Sequence, residues 1–182
     1  MYFFTADEHY YHEKILGYCN RPFKNIDEMN EELIKRFNAV VGNDDTTIHV
    51  GDFTLSKDFG KIENIIRRLN GDHIFIRGSH DYWRDDLPYV WECEILNNRN
   101  GEIEKNYIVA CHYEMRVWPR SHYGSFMLFG HSHGKLAGEG KSIDVGVDTQ
   151  HLPFHVPFSP YSLDEIREIM KKKKDNINQI KK

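Results

Sequence analysis

TTIHVGDFTLSKDFGKIENIIRRLNGDHIFIRGSHD, residues 46–81, decides the fold. Residues 46–50 are β-branched or apolar around one His and read as a short buried strand. Gly51 and Asp52 follow at once. Phe59, Ile62, Ile65, Ile66 and Leu69 then recur at helical spacing, so residues 58–69 read as an amphipathic helix. Asn70-Gly71-Asp72 stops it, and residues 73–77 form a further strand leading into Gly78-Ser79-His80-Asp81. Strand, helix, strand is the pattern of a parallel sheet with a crossover helix. Both strands deliver polar residues at their ends.

Upstream, Tyr2-Phe3-Phe4-Thr5 reads as a strand ending at Asp7, and residues 27–41 as a helix. Met29, Leu33, Phe37 and Val40/Val41 share one face of that helix, with Asp27 as its N-cap. The first half therefore runs β-α-β-α-β, an α/β class with helices covering a parallel sheet. Downstream, residues 94–96 and 104–111 flank Asn97-Asn98-Arg99-Asn100-Gly101, a hairpin signal. Residues 125–129 and 142–147 add two strands, and Ser162-Leu163-Asp164-Glu165 is a capping box opening a last helix. No repeat or Gly/Ser linker interrupts residues 1–165, so one domain is expected over 1–170, followed by a basic C-terminal tail, 171–182. Lys171-Lys172-Lys173-Lys174 reads as a solvated helix end, where positive charge suits the negative end of the dipole.

At 182 residues the chain fits one domain with a sizeable core. Hydrophobic residues at 40% and charged residues at 29% argue against disorder. A net charge of −4, with eleven His neutral, lacks the overall basic field of a dedicated nucleic-acid binder. Cys19, Cys93 and Cys111 are scattered without a CxxC spacing, which argues against a disulfide framework or a cysteine zinc site and fits a reducing cytoplasm. The N-terminus, MYFFTADEHYYHEK, is too short and too acidic for a signal peptide, and no apolar run approaches membrane-spanning length. The expectation is a soluble cytoplasmic protein without a membrane partner.

Five polar clusters stand in order: Asp7-Glu8-His9, Gly51-Asp52, Gly78-Ser79-His80-Asp81, His112 and Gly130-His131-Ser132-His133. Each ends or follows a strand-like stretch, where several can converge on one point. Carboxylate and imidazole ligands without thiolates suit manganese, iron, nickel, cobalt or zinc. An extended backbone sends positions i and i+2 to one side, so Asp7 and His9 can face one ion, and His131 and His133, again two apart, can reach one cluster together. Asp52, just past its strand, can offer one oxygen to each of two ions lying about 3.5–4 Å apart. Singly, each cluster is an ordinary turn or core residue. Jointly, they point to a two-metal hydrolytic centre that lowers the pKa of a bridging water and holds a phosphate for in-line attack.

In this order the clusters resemble the signature of the calcineurin-like metallophosphoesterase superfamily: DxH, GD, GNH followed by Asp or Glu, a single His, and GHxH. The match spans residues 1–150, and Asp144-Val145-Gly146-Val147-Asp148 resembles the VGVD stretch of small bacterial and phage members. The resemblance implies a four-layer αββα sandwich, two mixed sheets flanked by helices, with two divalent ions at the strand ends, manganese foremost. It implies that Asp7, His9 and His133 hold the first ion, that Asp52 bridges, and that His112, His131 and position 79 hold the second. His80 matches the family's general acid, and Asp81 is expected to orient its ring. Position 79 departs from the pattern. The family places Asn there, whereas Ser79 is shorter and offers a weaker neutral oxygen, so the second ion is expected to bind less tightly.

Tyr10, His12 and Arg21 follow the first cluster, and Arg116, Trp118, Arg120 and His122 follow His112. Such side chains can grip a phosphate or stack on a base, but they read better as loop and packing residues. His49 and His73 sit within strands and read as structural. The expected function is a metal-dependent phosphoesterase acting on a phosphomonoester or phosphodiester through a metal-bridged hydroxide. The absence of a cap or large insertion favours an open site and a small, nucleotide-like substrate. Two alternatives are a nuclease acting on nucleic-acid ends and a catalytically weak metal-binding interaction module, which Ser79 favours.

Overall fold

The structure, a computed structural model, describes residues 1–99 and 102–180, and the side chains of all of these except 97–104. The chain runs β1 (Tyr2–Thr5), α1 (Ile15–Tyr18), α2 (Ile26–Val40), β2 (Thr46–Val50), α3 (Phe59–Arg68) and β3 (Asp72–Ile76). It continues through β4 (Val90–Arg99), β5 (Glu102–Cys111), β6 (Phe126–Phe129), β7 (Ser142–Asp144), β8 (Tyr161–Ser162) and α4 (Leu163–Lys172). Two four-stranded sheets result, ordered β3-β2-β1-β8 and β4-β5-β6-β7. Both are mixed: β1, β2 and β3 are parallel with β8 antiparallel, and β5, β6 and β7 are parallel with β4 antiparallel.

Alternation along the strands separates two hydrophobic cores. Phe4 and Ile48 meet Ile108, Leu128 and Ile143 in a core between the sheets, which the α4 residues Ile166, Ile169 and Met170 join. Phe3, one residue away, meets Met29, Leu33 and Phe37 of α2 and Ile62 and Ile65 of α3 over the other face of the first sheet. Each fully buried side chain of this size stabilises the fold by about 1.5–3 kcal/mol. The outer face of the second sheet is covered by the segment after β5, where Trp118 packs on Val109, Met127 and Phe129. This is the α/β architecture of two mixed sheets with flanking helices that the family resemblance implies.

Several boundaries differ from the sequence reading. The N-cap of α2 is Asn25, whose side chain accepts the Glu28 N–H at 2.9 Å; Asp27 lies inside the first turn, where its charge still favours the dipole. β4 and β5 are each ten residues long, because they pair with each other from Val90↔Cys111 to Arg99↔Glu102. The turn expected within Asn97-Asn98-Arg99-Asn100-Gly101 lies outside the described residues. β7 ends early at Asp144. The chain then crosses to the first sheet, where Gly146 bridges Ala6 in parallel and the Val147 N–H reaches the Ala6 carbonyl at 3.0 Å. α1 and β8, at four and two residues, are too short to carry a readable period.

The capping box forms as expected, with Ser162 and Glu165 bonding reciprocally at the start of α4. Lys171 and Lys172 occupy its last turn. Beyond it, Lys173 Nζ donates to the Ala137 carbonyl, and the buried Asn176 amide donates to the carbonyls of Ser121 and Ser125. Among the described residues no helix is long and apolar enough to cross a membrane.

Candidate metal centre

Parallel pairing opens the C-terminal ends of β1, β2 and β3 on one rim, and the crossing at Gly146 brings the ends of β5, β6 and β7 beside them. There the chain turns sharply. Asp7, His9, Asp52, His131 and His133 have left-handed backbones, with φ of 58°, 55°, 58°, 66° and 49°. That conformation costs a non-glycine residue about 1–2 kcal/mol and persists only where the surroundings over-determine it, as functional sites do. Here the Asp7 N–H bonds the Gly51 carbonyl, the His9 N–H bonds the Asp52 carbonyl, and the His131 N–H bonds the Asp7 carboxylate at 2.8 Å. Gly51 is required by contact: a Cβ on it would lie 2.5 Å from His112 Nδ1 and 2.7 Å from Gly78 Cα.

These turns assemble two groups. Ligand atoms of Asp7, His9 and His133 lie within 4.8 Å of one another, and so do those of Asp52, His112 and His131. Asp52 Oδ2 stands between the groups, 3.7 Å from His9 Nε2 and 3.3 Å from His112 Nε2. Both of those nitrogens are buried and lack a hydrogen-bond partner. Their other nitrogens are engaged: His112 Nδ1 donates to the Val50 carbonyl at 2.9 Å, and His9 Nδ1 meets His12 Nδ1 at 3.2 Å. An orphaned buried nitrogen costs about 1–3 kcal/mol, and a cation facing it removes that cost. Two orphaned imidazole lone pairs converging with carboxylates fit divalent ions.

The electrostatics agree. Burial raises the Asp7 carboxyl well above the usual carboxylate range, and the nearby Asp144, Asp52, Glu8 and Asp148 raise it further. Burial opposes ionisation of Asp52 too, but the adjoining His112 imidazole and the His80 N–H outweigh it and lower its pKa. Burial presses the His9 ring down to about 2. Burial opposes the charged His112 ring, but the adjacent Asp52 carboxylate outweighs it and raises its pKa. Acidic groups packed this densely favour a bound cation as counter-charge.

The remaining expected residues surround these groups. Ser79 Oγ donates to Asp52 Oδ2 at 2.9 Å, and the His80 backbone N–H donates to Asp52 Oδ1 at 2.8 Å. The half-buried His80 ring lies 5.4 Å from the His9 ring. Asp81 departs from the expectation that it orients the His80 ring. Its carboxylate instead accepts the N–H groups of Asp52 (2.6 Å), Gly78 (2.8 Å) and Phe53 (3.0 Å) and the Trp83 indole (3.1 Å). The tight turn after β3 aims it inward, away from the ring. It holds the loop that carries Asp52.

Arg21 is buried and reaches no open surface. It donates to the carbonyls of Asp7 and Glu8 and makes two 2.8 Å bonds to Asp148, whose carboxylate meets His133 Nδ1 at 2.7 Å. Asp144 accepts the Gly134 and Gly146 N–H groups and the Ser132 hydroxyl, shaping the turn that presents His131 and His133. Sequence reading missed both roles, although the VGVD resemblance had singled out their stretch. Tyr10 and Trp118 are core residues, and Arg116 pairs with Glu139 on the surface. Arg120 lies over the Tyr107 ring, and the His122 ring packs at a tilt against Tyr123. His49 bonds Glu8 and His73 within an aromatic layer, a structural role.

Cys19 joins His133 and Asp148 in a third group, an arrangement the scattered thiols did not foretell. Burial lifts its thiol to about 11, and the Arg21 guanidinium already occupies Asp148, so this group suits a cation poorly. A cavity of about 920 Å³ lies over the second sheet, lined by Tyr107, Arg120, His122, Tyr123 and others, and includes none of the expected metal ligands. It lacks converging ligands, so the chemistry is assigned to the His/Asp groups.

Fold and site together define an α/β protein of two mixed four-stranded sheets carrying buried His/Asp groups suited to metal ions. No family model matches the chain. It is similar to the uncharacterized protein MJ1445 of Methanocaldococcus jannaschii, 29% identical over 184 residues that cover 94% of this chain and 92% of that protein. Its fold is similar to that of AQ665 from Aquifex aeolicus, a crystal structure of a protein of unknown function. That match has a TM-score of 0.63 and 21% identity, over 93% of this chain and 98% of the other.

Proposed function

We propose that the protein is a metal-dependent phosphoesterase of the calcineurin-like metallophosphoesterase type, hydrolysing a small, nucleotide-like phosphomonoester or phosphodiester. The observation that carries this reading is Asp52 Oδ2, set between two buried, orphaned imidazole nitrogens, 3.7 Å from one and 3.3 Å from the other. Asp7, His9 and His133 would hold one divalent ion, His112 and His131 the other, and Asp52 both. Two such ions, when bound, supply an activated water and neutralise phosphate charge. Manganese is the first candidate.

The chain's own residues supply the rest. His80 stands beside the groups on a backbone that Asp52 anchors, and its ring would give a proton to the leaving oxygen. Asp81 fixes the Asp52 loop, and Asp144 fixes the turn of His131 and His133. Ser79 makes the second group the poorer one. That favours, as a second reading, a metal-binding module with weak catalysis.

The test is a manganese titration by calorimetry beside hydrolysis of a chromogenic phosphodiester and monoester. Wild type is expected to bind Mn²⁺ and to turn over at least one ester. Asp52→Asn should lose both properties, and His80→Ala should keep the metal and lose turnover. Metal uptake without hydrolysis by any variant, Ser79→Asn included, would favour the module. Absence of metal uptake would sink both readings.

A further inference from the structure

His12 takes no part in either ligand group, yet its ring is built into the centre. Its Nδ1 lies 3.2 Å from His9 Nδ1, and the two ring centroids are 5.1 Å apart. The His80 ring is 5.9 Å away on one side, and the exposed Tyr18 ring packs edge-on at 6.2 Å on another. Two imidazole nitrogens at hydrogen-bond distance require one donor and one acceptor. Which is which follows from the rest of the His9 ring. His9 Nε2 is buried, has no protein partner and lies 3.7 Å from Asp52 Oδ2. If that lone pair faces a cation, the proton of a neutral His9 must sit on Nδ1. His12 Nδ1 must then be the acceptor, and the His12 proton sits on its own Nε2.

We propose that His12 is a positioning residue for the metal centre: by accepting the His9 Nδ1–H, it holds His9 in the one tautomer that directs a bare Nε2 toward the ion. The proposal rests on the metal-centre reading above and goes beyond it by assigning a residue outside the ligand set. Two of the other ligand rings have different supports. His112 donates to a backbone carbonyl, and His133 donates to Asp148. Ligating imidazoles generally need such a partner, and its loss commonly lowers metal affinity about 10–100-fold. For His9 the nearest available partner is another imidazole, which can accept only while it is neutral and correctly protonated.

Two variants of the full chain separate this role from packing. His12→Ala removes the acceptor, whereas His12→Asn keeps an oxygen near the place of Nδ1. Calorimetric titration with Mn²⁺ is expected to show about tenfold or greater weakening in His12→Ala and recovery to within about threefold of wild type in His12→Asn. Nitrogen-15 spectra of histidine-labelled protein loaded with diamagnetic Zn²⁺ should show the proton of His9 on Nδ1 and that of His12 on Nε2. Unchanged affinity in His12→Ala would overturn the proposal, as would equal weakening in both variants or a His9 proton on Nε2. Wild type that takes up no Mn²⁺ would overturn the metal-centre reading and this assignment together. Normal wild-type uptake with an indifferent His12→Ala would overturn the assignment alone.

Discussion

Arg21 and Asp148, 127 positions apart, are joined by two hydrogen bonds of 2.8 Å, and this pair is the hinge on which the first ligand group depends. The Arg21 fork also holds the Asp7 and Glu8 carbonyls, while Asp148 holds His133. One buried guanidinium thus ties together the backbone of one ligand and the side chain of another.

Arg21→Met should therefore damage stability and metal binding together. It strands a buried carboxylate and two carbonyls, and breaking such a pair costs about 3–5 kcal/mol. Arg21→Lys should recover little, since an ammonium cannot reproduce the fork. Urea unfolding and Mn²⁺ titration check this. A Lys variant of wild-type stability and affinity would refute the hinge.

Ser79→Asn tests the weakness of the second group. Ser79 Oγ donates to both Asp52 carboxylate oxygens, and an amide oxygen at this position extends beyond it. The Asn variant is expected to raise metal stoichiometry toward two per chain and turnover several-fold, read by elemental analysis and a chromogenic ester. Equal stoichiometry and rate in the two proteins would remove Ser79 as the limiting feature.

Asp7 predicts how metal and pH interact. Burial and its acidic neighbours raise its folded pKa above the unfolded value, so the metal-free fold binds the proton more tightly than the unfolded chain. Stability of the metal-free protein should then fall as pH rises from the ordinary aspartate range through the raised value. Mn²⁺ affinity should weaken as pH is lowered and Asp7 protonates. Asp7→Asn is expected to raise the metal-free melting midpoint at neutral pH while weakening Mn²⁺ binding. A variant less stable than wild type across the whole range would contradict the assignment.

Glu165 carries the opposite sign. Burial raises its pKa, but hydrogen bonds from the His155 ring and from Ser162 more than offset that and lower it. Its stabilisation is present above the unfolded glutamate pKa and is lost as pH falls through the lowered folded value. Glu165→Ala should cost about 1–2 kcal/mol at pH 7, through the lost capping box and the unpaired His155. The gap to wild type should close in acid. An equal gap at pH 7 and in strong acid would count against this account.

The sequence by itself determined the class and the ligand types. Period-2 and period-3.6 patterns are local, so β1, β2, β3, α2 and α3 were legible, and with them the positions at which Asp7, Asp52 and Ser79 leave their strands. Spacing of two also marked Asp7 with His9, which share a group, and His131 with His133, which the fold divides between the two groups. Tertiary structure decided everything that depends on residues far apart in the chain. The crossing from β7 to β1 brings Asp144 and Asp148 under the ligands, and a two-residue strand such as β8 has no pattern to read. Asp81 faces inward to the Asp52 loop and not to its neighbour His80, because the turn geometry, not sequence adjacency, aims its carboxylate. Arg21 could be an arginine for phosphate or for packing until Asp148 arrived beside it. Hydrogen-bond partners are chosen by distance in space, and a linear pattern carries that distance only within an element.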